Sequence, residues 1–305
     1  MIVYFNDKFT PETETAELPV SNQLFMPKDK VRISPDDRGF TFGDGIYEVL
    51  KAYSGRLFKT SQHLARLERS LAAIRLPGFN SQSLMPVMQI LLERNNLTAN
   101  DAKIYIQITR GNAPRDHAFP GDGTPVTIFI TATPVKSKTK LIQTGVKAIL
   151  VEDNRWMLCD IKQIGLLSGV LANQEAKEAK AYEALFVRDG FITEGTHTNF
   201  CAIIDGKLHT HPANNLILPG VTRTVVIDIC QVLNIPVIEE PIAADDFLQR
   251  IASGSSPVEA LVLGTITEIM PIVKIGDQVI GDGQPGKITN QIQQQFSKLI
   301  HVKLS

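Results

Sequence analysis

Cysteine is scarce. Three occur in 305 residues, Cys159, Cys201 and Cys230, and no two form a CxxC pair. A widely spaced, odd set gives no disulfide framework and suits a reducing compartment. Neither sign of charge is in excess: 31 Lys and Arg stand against 32 Asp and Glu, for a formal net charge of −1. Nucleic acids and anionic membranes are bound through basic patches, so this balance gives no electrostatic case for either partner. No apolar run reaches the ~20 residues of a membrane span. The start, "MIVYFNDKF", lacks the basic region and apolar stretch of a signal peptide. "FGDG" (42–45) has glycines without GxGxxG spacing, so it is not read as a dinucleotide loop. There is no metal-ligand cluster, no Cys–His or Ser–His–Asp arrangement, no internal repeat and no low-complexity segment. What these absences leave is a cytoplasmic globular protein with no expected metal.

Apolar residues make up 43% of the chain, and its length suits two domains. Strand-like and helix-like patterns alternate. "IYEVLKAY" (46–53) reads as a strand. In the next segment Leu64, Leu67, Leu71 and Ile74 recur at helical spacing over 61–76, with Ser61 as N-cap. A second helix is expected over about 82–96, then strands at 103–111 and 125–134. "TPVKSKTKL" (133–141) is polar and basic and is taken as the inter-domain linker. The expected domains are 1–135 and 136–305, the second holding a strand, a helix over about 163–182, further strands, a turn into a helix at "LPGVTR" (218–223) and a final helix over 287–300. The pattern is mixed α/β, or α+β, in two domains.

Within the second half, Lys162 sits where an apolar segment is expected to enter a helix. A lysine amine becomes nucleophilic toward carbonyls when desolvation or a nearby cation lowers its pKa; alone, it is equally an ordinary boundary residue. Glu194, in "TEG", can be a turn residue or can pair with a protonated ring nitrogen of a cofactor such as pyridoxal phosphate. "LPGVTR" opens a helix whose Val221 and Thr222 N–H groups and Thr222 hydroxyl suit a phosphate. Thr265, in "LGTIT", repeats the theme, and Arg66 can add positive charge. Arg115 and His117, two apart in "RGNAPRDHAFP", point the same way if extended and can converge on one carboxylate. Each signal alone has a bland alternative: a junction, a solvated arginine, an exposed basic loop.

Their order along the chain is more specific. "RGFTFGDGIYEVLKAYSGRLF", "TRGNAPRDH", "EDNRW", "CDIKQIGLLSGVLANQEAKEA", "TEGTHTNF", "HPANNLILPGVTR" and "TITEIMP" together resemble the class IV (fold type IV) pyridoxal-phosphate aminotransferases over nearly the whole chain, and within them the bacterial D-amino acid branch. The resemblance implies a two-domain fold type IV homodimer that uses pyridoxal 5'-phosphate, with an active site shared between subunits. It implies a ping-pong transfer of an amino group from a D-amino acid such as D-alanine to a 2-oxo acid such as 2-oxoglutarate. Carried over residue by residue, Lys162 binds the cofactor covalently and shuttles the substrate Cα proton. Glu194 meets the pyridine nitrogen. Arg66, Val221, Thr222 and Thr265 hold the phosphate, and Leu218 packs on the ring. Tyr47, Arg115 and His117 bind the substrate α-carboxylate, the last two reaching across from the other subunit.

The sequence departs from that branch at His197 and Thr198, where serines are common, at Gly264, where a hydroxyl residue is usual, and in "KQIG" after Ile161. A segment of about sixteen residues around "ELPVSNQLFMPKDK" is additional and is expected to change the surface rather than the cofactor's surroundings. Three functions stay open at this point: the D-amino acid aminotransferase, a branched-chain L-aminotransferase or aminodeoxychorismate lyase of the same fold, and a cofactor-binding protein without catalysis.

Overall fold

Alternation in "GIYEVLKAY" puts Ile46, Glu48, Leu50 and Ala52 on one face of a strand, and all four are fully buried. That strand belongs to the first of two units in a computed structural model, which describes residues 1–301 except Glu12, Glu14, Pro77 and Ser255. The first unit comprises Met1–Lys136 and Ile161–Leu166; the second comprises Ser137–Asp160 and the chain from Leu167.

The first unit runs β1 (Ile2–Phe9), β2 (Phe25–Pro27), α1 (Arg38–Phe42), β3 (Gly45–Tyr53), β4 (Arg56–Leu57), α2 (Thr60–Ala73), α3 (Leu84–Arg94), β5 (Ala102–Thr109) and β6 (Val126–Pro134). Its strands form one antiparallel sheet in the order β2-β1-β6-β5-β3-β4. Helices α2 and α3 cover one face, where Leu64, Leu67, Leu71, Val87, Met88 and Leu91 meet Ile46, Leu50, Ile104, Ile106 and Ile130. Each such leucine contributes about 1.5–3 kcal/mol of burial. Ser61 does not cap α2. The helix begins at Thr60, after Lys59 in the left-handed region at φ 53°, with no side-chain cap. The additional segment is also more than surface: Leu18 and Phe25 enter the core, and β2 pairs with β1.

In the second unit the order is α4 (Thr139–Thr144), β7 (Val146–Glu152), α5 (Leu167–Glu178), β8 (Glu183–Arg188), β9 (Phe191–Gly195), β10 (Asn199–Ile204), β11 (Lys207–Thr210), α6 (Val221–Val232), β12 (Val237–Glu239), β13 (Ile242–Ala243), α7 (Ala244–Ser253), β14 (Val258–Gly264), β15 (Glu268–Ile275), β16 (Gln278–Val279) and α8 (Lys287–His301). The mixed sheet follows the order β12-β11-β10-β14-β15-β7-β8-β9-β13, with β16 on β15. Strand β9 also pairs back to β10 at Glu194↔Asn199, so β10, β14, β15, β7, β8 and β9 close a ring. Parallel β7 and β8 need a crossover, which α5 supplies, packed on both.

The helix expected over 163–182 is shorter, Leu167–Glu178, and Lys162 lies outside it. Residues 161–166 run along the start of β3 instead. Tyr47 N–H donates to Lys162 O at 2.9 Å, Ile164 N–H donates to Gly45 O at 3.1 Å, and Ile46 and Gln163 form an antiparallel bridge. Long-range pairing thus overrides the local apolar run. It also moves Lys162 from the expected 136–305 domain into the first unit, where Ile161 joins the core.

Candidate active site

Lys162 is fixed by its backbone on two sides: Ser70 Oγ of α2 accepts its N–H at 3.4 Å, and its carbonyl pairs with β3. The side chain returns toward β3 and sets Nζ 4.2 Å from the centre of the Tyr47 ring, a cation–π distance. Tyr105 of β5 lies beside Tyr47, ring centres 5.7 Å apart, and donates to Gln107 Oε1 at 2.6 Å. Burial, and then the neighbouring Tyr47, push the Tyr105 phenol up to about 12.

Behind this face lies an ion cluster. Glu48 points into the core, where Arg66 donates through Nε (3.0 Å) and Nη2 (2.7 Å) to its two oxygens. His63 Nδ1 stands 3.0 Å from Oε1. Burial pushes the Glu48 carboxyl up, but Arg66 and His63 reverse this and hold it well below the usual carboxylate range. His63 is lowered, chiefly by burial. Arg66 is therefore a buried, oriented cation and not a solvated helix arginine.

Arg115 and His117 do share a side. The Arg115 guanidinium lies 5.1 Å from the centre of the Phe42 ring, and the His117 ring centre lies 5.3 Å from it. Buried Arg38 steadies their loop by donating to Asp116 O at 2.6 Å, and it pairs with Asp44 at 2.8 Å. "FGDG" thus serves a turn: Gly43 caps α1 at φ 67°, and Asp44 anchors Arg38 and Arg110. Among the described residues, no hydrogen bond or ion pair joins Arg115 or His117 to Tyr47 or Lys162 of the same chain.

In the second unit Glu194 stands at the seam of the closed ring. Oε2 accepts from Asn199 Nδ2 and from Leu218 N–H, each at 3.1 Å, and Oε1 accepts from Arg155 Nη1 at 2.5 Å. Arg155 also pairs bidentately with buried Asp153, at 2.9 Å through Nε and through Nη2, and lies over the Phe186 ring. Burial pushes the Arg155 guanidinium down, but Asp153 and Glu194 outweigh it and hold its pKa above the usual range. Asn199 Nδ2 donates as well to Leu218 O at 2.8 Å, so it ties "TEG" to "LPGVTR".

Helix α6 begins at Val221 with Gly220 as N-cap and no side-chain cap bond, leaving the Val221 and Thr222 N–H groups in an uncapped first turn. A Cβ at Gly220 would lie 1.9 Å from Asn199 Oδ1, so only glycine allows this approach. Asn199 also faces Leu263 across the β10–β14 ladder, one residue before Gly264 and the turn that carries Thr265. Asn199 accordingly touches both phosphate candidates' surroundings, the start of α6 and the β14–β15 turn.

A family model described as Amino-transferase class IV matches residues 45–275. The chain belongs to the class IV aminotransferase family. A D-alanine aminotransferase of Staphylococcus haemolyticus is 39% identical over 285 residues, 93% of this chain and 98% of that one. One of Bacillus licheniformis is 36% identical over 273 residues, covering 89% and 93%. Among solved structures, the Escherichia coli branched-chain amino acid aminotransferase superposes with a TM-score of 0.83 at 24% identity, covering 98% of this chain and 94% of that one. A fold IV-transaminase from Curtobacterium pusillum gives 0.79 at 18%, covering 99% of each. These two likenesses establish the fold, fold type IV.

Class IV aminotransferases depend on pyridoxal 5'-phosphate. Within the second unit the donor chemistry fits that group: a fixed carboxylate for a ring N–H, an uncapped helix start beside a glycine that admits close approach, and a buried threonine at that start. Sequence reasoning missed Arg155, Asn199, Glu48 and His63. Of these only Glu48 left a signal, a carboxylate in the inward register of an alternating strand.

Proposed function

We propose that this class IV aminotransferase moves an amino group from a D-amino acid such as D-alanine to a 2-oxo acid such as 2-oxoglutarate, in ping-pong order. The observation that supports this is the Arg115/His117 pair, gathered on one ring, Phe42, where a guanidinium and an imidazole suit a shared carboxylate. Relatives at 36–40% identity that are D-alanine aminotransferases support it.

When bound, the cofactor supplies an electron sink that makes the substrate Cα–H acidic. Lys162 would hold the cofactor covalently, and once released its Nζ would take the proton from the substrate Cα and deliver it to the cofactor carbon that had carried the lysine. Its backbone clamp between β3 and α2 leaves only the side chain to move. Glu194 accepts the ring N–H, and because Arg155, Asn199 and Leu218 already hold its oxygens, the anion does not reorganise during turnover. Val221 and Thr222 N–H groups, the Thr222 and Thr265 hydroxyls and Arg66 hold the phosphate, and Leu218 packs on the ring. Tyr47, with Arg115 and His117 of the partner subunit, holds the substrate α-carboxylate.

The homodimer is part of this proposal. Trp156, Met157 and Leu158, and then Leu167, Val170 and Leu171, are exposed apolar runs in the second unit, of the kind that marks a protein interface. Three free, buried cysteines support a reducing, cytoplasmic setting.

Rapid mixing with D-alanine, in the absence of any 2-oxo acid, tests the reaction. Pyruvate should appear in a burst stoichiometric with sites. A 2-oxo acid burst from L-leucine with none from D-alanine would replace this function with the branched-chain one. The shared site has its own test: Lys162→Ala and Arg115→Gln homodimers, each inactive, should regain about a quarter of wild-type activity after random subunit exchange. No recovery despite demonstrated exchange would place Arg115 outside the partner's site.

A further inference from the structure

The turn 195–198 is wrapped around a buried anion. Glu183, at the start of β8, is fully buried, and its Oε1 accepts from Ala184 N–H and Thr196 N–H, each at 3.1 Å, and from Thr196 Oγ1 at 2.5 Å. Oε2 accepts from Thr198 Oγ1 at 2.8 Å, and His197 Nδ1 lies 3.2 Å from it. The wrapping is tight: a Cβ at Gly195 would lie 2.9 Å from Glu183 Cγ and Cδ and 2.2 Å from Thr198 Oγ1. Among the described residues, His197 is the one cationic partner in an ion pair with Glu183.

This network fixes the orientation of the imidazole. Thr196 Oγ1 spends its proton on Glu183, so toward His197 Nδ1, 3.0 Å away, it can only accept. Glu183 Oε2 can likewise only accept. Nδ1 therefore carries a hydrogen, and Nε2, on the opposite edge of a ring whose side chain is 49% exposed, faces outward. In its charged form the ring presents Nε2–H as a charge-assisted donor, with the buried carboxylate behind it.

The turn is also placed beside the cofactor half-site of the second unit. Its two ends, Glu194 and Asn199, are a bonded pair. A Cβ at Gly264, next to Thr265, would lie 3.5 Å from His197 O and from Thr198 Cγ2. Four anionic or ring-nitrogen demands arise in the proposed reaction with a dicarboxylic 2-oxo acid. Residues are proposed above for the phosphate, the ring nitrogen and the α-carboxylate, and none for the distal carboxylate.

We propose that His197 is the specificity residue that binds the distal carboxylate of a dicarboxylic substrate, with Glu183 as its positioning residue. This rests on the D-amino acid transaminase reading. It gives the enzyme a preference for 2-oxoglutarate, D-glutamate and D-aspartate over monocarboxylic substrates of similar length.

The test is a ratio. With D-alanine as donor, kcat/KM is measured for 2-oxoglutarate and for 2-oxobutyrate in the wild type, His197→Asn, His197→Arg and Glu183→Gln. The His197→Asn ratio should fall at least about tenfold, through KM for 2-oxoglutarate, as the loss of a charge-assisted contact demands. His197→Arg should restore much of it, because arginine supplies a charged N–H donor from the same position. Glu183→Gln, which loses a buried anion and so also lowers the melting temperature, should lower the ratio while the folded variant keeps its kcat/KM for 2-oxobutyrate if Glu183 positions the imidazole. Equal losses on both acceptors in His197→Asn would overturn the proposal, as would no loss on either. A wild type active with D-alanine and 2-oxobutyrate but indifferent to His197 sinks this inference alone; a wild type inactive with every D-amino acid sinks the underlying reading as well.

Discussion

Replacing Glu48 by glutamine removes the charge on which Arg66 and His63 converge. The substituted group is fully buried, Arg66 is 3% exposed and His63 is 2% exposed, so water cannot take over the lost contacts. Glutamine keeps one carbonyl acceptor, but its amide turns N–H groups toward a guanidinium that has none to accept them. Breaking a buried ion pair from one side costs about 3–5 kcal/mol, because an uncompensated charge stays behind. At the lower bound the folded-to-unfolded ratio falls by about two decades. Urea unfolding of the apoenzyme reads this as a lower midpoint at constant slope. Glu48→Gln combined with Arg66→Met should recover about half the loss, since neither charge remains. Acid adds a second readout. Because the folded Glu48 carboxyl is held below its ordinary 4.5, its contribution is complete above that pH and is lost as pH falls beneath it. His63, lowered from 6.5, acts in the same direction, favouring the folded state above that value and not below. The glutamine variant should therefore show a flatter acid limb than the wild type. A loss under about 1 kcal/mol, or a double variant that is simply additive, would refute the buried-pair account.

Three other changes probe the remaining parts. Lys162→Ala should cut turnover at least about a thousandfold and abolish the visible absorbance of lysine-bound cofactor; activity near the wild-type level would remove Lys162 from its role. Gly220→Ala should push Asn199 off Glu194 and Leu218 and weaken cofactor binding to the apoenzyme by about tenfold or more, measured by fluorescence quenching, with unchanged affinity as the refuting result. The Cys201 and Cys230 thiols, pushed up by burial to about 11 and about 12, should ignore a thiol reagent at pH 8 until the chain is unfolded, and their contribution to stability should be complete below 9 and lost as pH rises toward those values. Fast labelling of the native enzyme would contradict their burial.

The sequence disclosed whatever its own periodicity determines. Leu64, Leu67 and Leu71 announced the buried face of α2, and the inward alternation of β3 was visible from Ile46 to Ala52. "TEG", "LPGVTR" and the Arg115/His117 loop stood in their family order. Pairing across long separations was not legible. Arg155 meets Glu194 39 residues on, and Glu48 meets Arg66 18 residues on. Ile164, Leu166 and Leu167 look helical and place Lys162 at the mouth of a helix; the pairing of 161–166 with β3, over a hundred residues earlier, decides otherwise. His197 was an open residue until the buried Glu183 appeared behind it.

The chain enters the second unit at Ser137, leaves it for six residues at Ile161–Leu166, and then returns. That detour orders events on the ribosome. When Lys136 has been added the first unit is still incomplete: the place of Ile161 in its core is empty and the Tyr47 N–H lacks its acceptor. Thirty more residues, β7 among them, must be made before the strap can be laid on β3. A chain cut at the junction would release a complete six-stranded sheet that lacks Ile161 in its core and lacks the lysine, so a truncation there separates the fold of the first unit from its chemistry.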